Sequence, residues 1–260
     1  MTQGSTVLVE ARGAVRLLTL NRPDNANVLD MQMGRDLLAA ARAVASDAAV
    51  RAVVLTGAGK HFCFGGDLRG MIAGGVPSDQ YLRELTADLH RAIMTLVRMD
   101  APLIAAVNGT AAGAGVGLVA MADLAVCGEG TKFSLAYTGV ALTPDGSTSF
   151  FLPQTLGNKR ALELMLTNRP LGAAEALQWG LVNQIVPDGE VLAVALALAE
   201  RLAAGPRAAQ AAVKRLVALA GGALEAHLAV ESETIARQSI TPEGQEGIKA
   251  FLEKRRPKFD

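Results

Sequence analysis

Leu103-Ile104-Ala105-Ala106-Val107-Asn108-Gly109-Thr110-Ala111-Ala112-Gly113-Ala114-Gly115-Val116-Gly117 is the stretch whose reading decides the fold class. Leu103 to Val107 is a short, wholly apolar run entered from Pro102, the pattern of a strand covered on both faces. Asn108 and the glycines after it break the run, and small residues continue as a helix from about Ala114 to Ala122. A strand that passes through a glycine loop into a helix is the repeating unit of an α/β sheet. Free N–H groups and the positive dipole end at the start of such a helix suit an anion or a developing oxyanion. Small residues also permit close packing of helix on strand, and the stretch alone leaves both readings open. Its glycines do not have the G-x-G-x-x-G spacing of a dinucleotide site.

The same alternation extends outward. Residues 6–20 read as two strands around a turn at Gly13, with Val7, Val9, Val15, Leu17, Leu18 and Leu20 as the apolar positions. Asn21-Arg22-Pro23-Asp24-Asn25 is turn chemistry. Leu29–Val44 and Tyr81–Val97 carry helical periodicity, the second with a stripe of Leu82, Leu85, Leu89, Ile93, Leu96 and Val97. Arg51–Gly57 and Leu124–Cys127 read as further buried strands. After Thr155 the chain turns helical, over Arg160–Leu166, Ala173–Trp179, Val191–Ala203, Arg207–Leu219 and Leu224–Arg237, punctuated by Gly205-Pro206 and Gly221-Gly222. The organisation expected is a core over 1–205 and a C-terminal helical region over 206–260 whose apolar faces bury against the body or a neighbouring subunit.

With 260 residues, half of them hydrophobic, the chain is long enough for a full core, and no apolar run is long enough to span a bilayer. The polar start Met1-Thr2-Gln3-Gly4-Ser5 is no secretory leader, and a cytoplasmic location is expected. Cys63 and Cys127 are the only cysteines and lack metal-site spacing. The formal net charge is zero and no basic stripe crosses the body, which argues against nucleic acid as a partner. The terminal cluster Lys254-Arg255-Arg256-Pro257-Lys258 reads by charge pattern as a solvated helix end.

Candidate functional residues fall in three places. Phe62-Cys63-Phe64-Gly65-Gly66-Asp67-Leu68 brings a bare backbone close to something apolar, with Asp67 reading as a loop or helix-cap residue. Gly57-Ala58-Gly59-Lys60-His61 before it lacks the first glycine and the Ser/Thr of a phosphate loop. Pro144-Asp145-Gly146 is ordinary turn chemistry on its own, yet, with Asp67 read as a cap, Asp145 is the carboxylate placed to do chemistry beside the glycine-rich segments able to hold an oxyanion. Tyr137 lies in an apolar segment with Phe133 and Leu135, where core packing is the default. His90 borders the stripe of its helix, His61 and His227 are isolated, and no Ser-His-Asp or Cys-His set assembles from them. Cys63, between two phenylalanines, reads as an inert packed thiol.

Taken together these segments resemble the crotonase family (enoyl-CoA hydratase/isomerase). The resemblance rests on Asn21-Arg22-Pro23 with Asn25-Ala26, the Phe62–Leu68 loop, Ala101–Gly109, Ala122-Asp123-Leu124 and the Pro144-Asp145-Gly146 turn. It continues through Ala173-Ala174-Glu175-Ala176, Trp179-Gly180-Leu181-Val182 and the closing Lys254–Phe259. It implies a ClpP/crotonase-like α/β fold of repeated ββα units with a C-terminal helical trimerisation region, assembled as a homotrimer or a hexamer of two trimers. It implies an acyl-CoA thioester as substrate, with no separate cofactor and no metal. The thioester oxygen would lie between the N–H groups of Gly66 and Ala114. Ala26, Gly65, Asp67 and Leu68 would hold the CoA thioester, and Gly113, Gly117, Tyr137, Val140 and His90 would line the rest of the substrate site. Arg69 and Lys258 are the candidates for the CoA phosphates.

The departures from the family pattern bear on the reaction. Hydratases of this family use two glutamates to add water, and here the corresponding positions read Gly117 and Tyr137. Asp145 falls where several family isomerases carry their acid. This implies proton transfer between C2 and C4 of an enoyl-CoA, with Asp145 as acid/base and no hydration. Aryl-CoA dehalogenases of the family are the competing likeness, sharing Asp145, His90 and Met165–Arg169, but with Tyr137 in place of a tryptophan and Gly66 in place of a phenylalanine. Ring-epoxide isomerases of aromatic acyl-CoA are an intermediate alternative, and a binding-only member a third.

Overall fold

A computed structural model describes residues 5–73, 75–220 and 224–258. The first four residues, Gly221-Gly222 and Phe259 therefore lie outside the described residues. Nine strands are present among them: β1 (Val7–Arg12), β2 (Val15–Leu20), β3 (Ala52–Gly57), β4 (Leu103–Val107), β5 (Ala111–Ala112), β6 (Leu124–Gly128), β7 (Lys132–Ser134), β8 (Leu171–Gly172) and β9 (Gln184–Val186). The helices are α1 (Met31–Ser46), α2 (Leu68–Ala73), α3 (Ser78–Arg98), α4 (Ala114–Ala120), α5 (Thr148–Leu156), α6 (Asn158–Thr167), α7 (Ala173–Trp179), α8 (Val191–Ala203), α9 (Arg207–Ala220), α10 (Leu224–Ser239) and α11 (Pro242–Leu252).

The main sheet runs β1-β2-β3-β4-β6-β9, antiparallel only between β1 and β2, and a small second sheet runs β5-β7-β8. Every residue of β3 and β4 is buried, as the unbroken apolar runs require. One face of the sheet (Val15, Leu17, Val54, Ile104, Ala106, Val126) packs on Ala195, Leu196 and Ala199 of α8. The other face (Leu18, Val53, Leu55, Ala105, Val107) joins α1, α3 and α4 in the larger core. Helix starts follow local chemistry: the Asp30 carboxylate accepts from Met33 N–H, and the Thr241 hydroxyl accepts from Gly244 N–H with Pro242 in the first turn.

The C-terminal helices bury their faces largely on the body of the same chain. α10 lies along α3, and α11 packs against the turn at Thr138–Val140, where a Cβ on Gly247 would strike the Val140 carbonyl. α9 is fixed by Lys214, whose ammonium donates to the carbonyls of Leu96 and Ala101 and pairs with Asp123 at 2.8 Å. Val213, Leu216 and Val217 of α9 stay exposed.

All parallel strands end toward the same side, and the loops leaving β3 and β4 there are the two glycine-rich segments. Asn27, fully buried, holds the first of them, after β3, in register with the chain before α1. Its amide donates to the carbonyls of Ala58, His61 and Phe62, and its oxygen accepts from Arg22 N–H.

Candidate active site

The loop after β3 lies between two backbones. On one side Phe64 N–H donates to Ala26 O, Leu29 N–H to Gly65 O and Asp67 N–H to Leu29 O. On the other, Ala112 N–H donates to Cys63 O, and Cys63 bridges Ala111. Gly65 sits at φ +74° with the backbone of Ala112 to Ala114 so near that a Cβ would fall 3.1 Å from Ala114 N. Only glycine allows both the left-handed turn and that approach. Ala26, Gly65, Gly66, Gly113 and Ala114 are thereby brought into one place.

The pleat of this arrangement leaves two donors over. Parallel pairing with Leu29 uses Gly65 O and Asp67 N–H, so Gly66 N–H points away from its neighbour strand. Ala114 is the first residue of α4 and has no carbonyl four residues back to reach. Among the described residues neither N–H has an acceptor. Two fixed, unpaired donors on adjoining loops can stabilise negative charge on one oxygen atom.

Asp145 is buried at the turn that leads into α5. Tyr137, also buried, donates its hydroxyl to Asp145 Oδ1 at 2.7 Å, and its ring reaches the Gly113 turn. Burial raises the Asp145 carboxyl to about 7; the Tyr137 hydrogen bond pulls it down and the nearby Glu231 carboxylate pushes it up. The Tyr137 phenol is held well above its usual range by burial and by Asp145, so it stays a donor. Tyr137→Phe removes the one side-chain hydrogen bond that favours the carboxylate, and the acid limb of the activity profile is expected to move to higher pH, read from kcat/KM against pH.

Other expected residues take different places. Gly117 does not line open space: a Cβ there would run into the Gly146 carbonyl oxygen and stand 2.7 Å from Thr148 Oγ1. This corrects its expected place among substrate-contacting residues; it is a close-packing glycine under the Asp145–Gly146 turn. Gly117→Glu is expected to cost about 3 kcal/mol in stability, measured by denaturant unfolding, and to bring no hydration. The Asp67 carboxylate is likewise occupied, accepting from Gly70 N–H at 2.9 Å at the start of α2 and lying 3.7 Å from Arg22, so it caps a helix. Leu68 is half-buried at the first position of α2. Val140 is half-buried against α11. Arg69 and Lys258 are both exposed, and neither side chain is in an ion pair among the described residues. His90 is buried on α3 with its Nε2 unpartnered, and burial lowers it to about 4, so it is neutral at physiological pH. It makes no hydrogen bond to Asp145 in this structure, although Leu89 beside it lies against Gly146. Cys63 is buried and its thiol pushed up to about 12, which fits the inert reading. The residues that sequence reading missed are Glu231 and Ser149, which meet at the start of α5, and His227, read from the sequence as isolated, joins them 2.7 Å from the Ser149 hydroxyl.

A sequence profile described as enoyl-CoA hydratase/isomerase matches residues 10–260. The chain belongs to the enoyl-CoA hydratase/isomerase family. A Rhodobacter capsulatus protein named "Probable enoyl-CoA hydratase" is 38% identical over 98% of this chain and 97% of its own length. An Arthrobacter 4-chlorobenzoyl coenzyme A dehalogenase is 36% identical over 81% of this chain and 77% of its own. The 1,2-epoxyphenylacetyl-CoA isomerase of Escherichia coli is 32% identical over 97% of both. Among solved structures, an enoyl-CoA hydratase from Mycobacterium avium subsp. paratuberculosis superposes with a TM-score of 0.89 at 30% identity, covering 98% of each chain. The crotonase fold expected from the sequence is thus the fold of the family, and relatives of similar identity carry different reaction names.

Proposed function

We propose that this family member shifts a double bond in an acyl-CoA thioester by proton transfer. The N–H groups of Gly66 and Ala114 hold the thioester oxygen as it becomes an enolate, and Asp145 takes the proton from C2. Electrons move into the dienolate, and Asp145 returns the same proton at C4, so a 3-enoyl thioester becomes the conjugated 2-enoyl isomer with no net gain or loss of atoms. The observation that carries this reading is the buried Asp145 carboxyl, raised to about 7, beside two unpaired backbone donors. A group of that proton affinity both accepts and releases a proton at neutral pH. Hydration fits poorly, since Tyr137 and the closed Gly117 position supply no carboxylate to activate water.

The test is incubation of the protein with a 3-enoyl-CoA and, separately, a 2-enoyl-CoA, followed by chromatography. Interconversion of the two without a 3-hydroxyacyl product is expected. Hydration of the 2-enoyl-CoA would overturn the reading.

His90 favours one second reading. Its unpartnered neutral Nε2 lies on the helix that packs against the Asp145 turn, and one relative is named as a dehalogenase. In that reading Asp145 attacks the ring carbon of an aryl-CoA, the carbon–halogen bond breaks, and water releases the aryl ester. Halide release from 4-chlorobenzoyl-CoA would favour it. The exposed Val213, Leu216 and Val217 of α9 fit assembly into trimers or pairs of trimers, which light scattering checks.

A further inference from the structure

We propose that Glu231, on α10 in the C-terminal region, is a positioning residue for Asp145. The proposal rests on Asp145 being the proton-transfer base. α5 begins immediately after the catalytic turn, and its own residues supply no cap: Ser147 stands at the N-cap with φ +68° and its hydroxyl makes no capping bond. The exposed donors of that helix start are instead satisfied from across the molecule. Glu231 Oε2 accepts from Ser147 N–H at 2.8 Å, and Oε1 accepts from Ser149 N–H at 3.0 Å and from the Ser149 hydroxyl. His227, one turn earlier on α10, lies 2.7 Å from the same hydroxyl. Thr148 N–H closes back on the Asp145 carbonyl at 3.1 Å. The backbone from Asp145 to Ser149 is therefore held at both ends, and one holder belongs to the C-terminal helices.

Ser147, a residue type that ordinarily caps a helix, does not do so at φ +68°, and the carboxylate of Glu231 takes its place. A buried carboxylate carries a desolvation penalty of several kcal/mol that good hydrogen bonds offset only in part. What the charge adds is a negative field beside Asp145, which acts in the same direction as burial, the larger cause, in opposing its ionisation. Of the titratable groups around the turn, Tyr137 and His90 of α3 are buried and His227 of α10 is half-buried, while Asp88 and Arg91 of α3 pair with each other and Glu233 and Arg237 of α10 pair at the surface. Thr86 of α3 meets Ser232 of α10 at 2.6 Å, so α10 is seated on α3 at the level of the turn.

The experiment compares the full-length parent protein with Glu231→Gln, Glu231→Asp and Asp145→Asn. For each, kcat and KM are measured on the active acyl-CoA, and the Asp145 carboxyl is titrated by 13C NMR in aspartate-labelled protein. For folded Glu231→Gln, kcat should fall by about 10- to 100-fold with KM little changed. Its acid limb and the Asp145 titration should both move down by roughly one pH unit. Glu231→Asp keeps the charge and withdraws the hydrogen bonds, so kcat should fall while the titration stays at the parent's pH. Glu231 is a helix cap alone if both variants, or the aspartate variant where only it folds, melt at lower temperature yet match the parent in kcat. The NMR titration needs no turnover. Full activity in Asp145→Asn would therefore sink the base reading separately, leaving the Glu231 result to be judged on the titration.

Discussion

Asp145→Asn is expected to lower kcat by about 10²- to 10⁴-fold on the acyl-CoA that the parent turns over, with CoA binding retained. The substitution is nearly isosteric, and Tyr137 can still donate to the side-chain oxygen, so the turn should keep its shape. What disappears is a buried carboxyl raised to about 7. A second effect runs the opposite way. The Asp145 carboxyl is raised in the folded protein to about 7, from 3.8. Between those values the unfolded chain gives up the proton while the folded one keeps it, so stability falls as pH rises through that window. The full difference is on the order of 4 kcal/mol above pH 7. Asparagine has nothing to ionise. The variant should therefore gain stability relative to the parent as pH goes from 5 to 8, in thermal melts at both values. A variant with parent-like kcat, or a stability gap that does not open with pH, would contradict the assignment.

Ala114→Pro tests the other half of the site. Proline is tolerated at the first position of a helix, where no intrahelical hydrogen bond is lost, and Ala114 occupies that position in α4. The change deletes one N–H and puts a methylene where the oxyanion would sit. Loss of a single such donor typically costs about 10²- to 10³-fold in kcat, or 2.7–4 kcal/mol in the barrier. The α4 packing and the melting temperature should stay near the parent's. If kcat holds while the N–H is gone, the thioester oxygen is bound elsewhere.

Much of the frame was legible before any coordinates. The apolar runs of β2, β3, β4 and β6 and the stripe of α3 sit where periodicity put them, because burial on one or both faces leaves a direct mark on residue order. The short strands β5, β8 and β9 left no such mark, being two or three residues long. α5 escaped for a different reason. It carries Pro153 inside it, lacks a clear apolar stripe and takes its cap from Glu231, more than 80 residues away in sequence. Nothing local announces a helix whose start is completed by a distant carboxylate. The glycine loops and Asp145 were readable as a possible site from residue type alone. The Tyr137–Asp145 hydrogen bond was not, since an aromatic residue among apolar neighbours reads as core until its hydroxyl finds a partner.

The contact between Gly117 and the Gly146 carbonyl has a consequence for how such a chain can change over generations. Gaining an acid at Gly117 as a first step would press its Cβ into the Gly146 carbonyl and destabilise the turn. The turn at Gly146 has to be rebuilt before a glutamate is tolerated, and rebuilding it displaces Asp145. Substitutions at Gly117 and in the Asp145–Gly146 turn are thus coupled, and neither can change freely without the other.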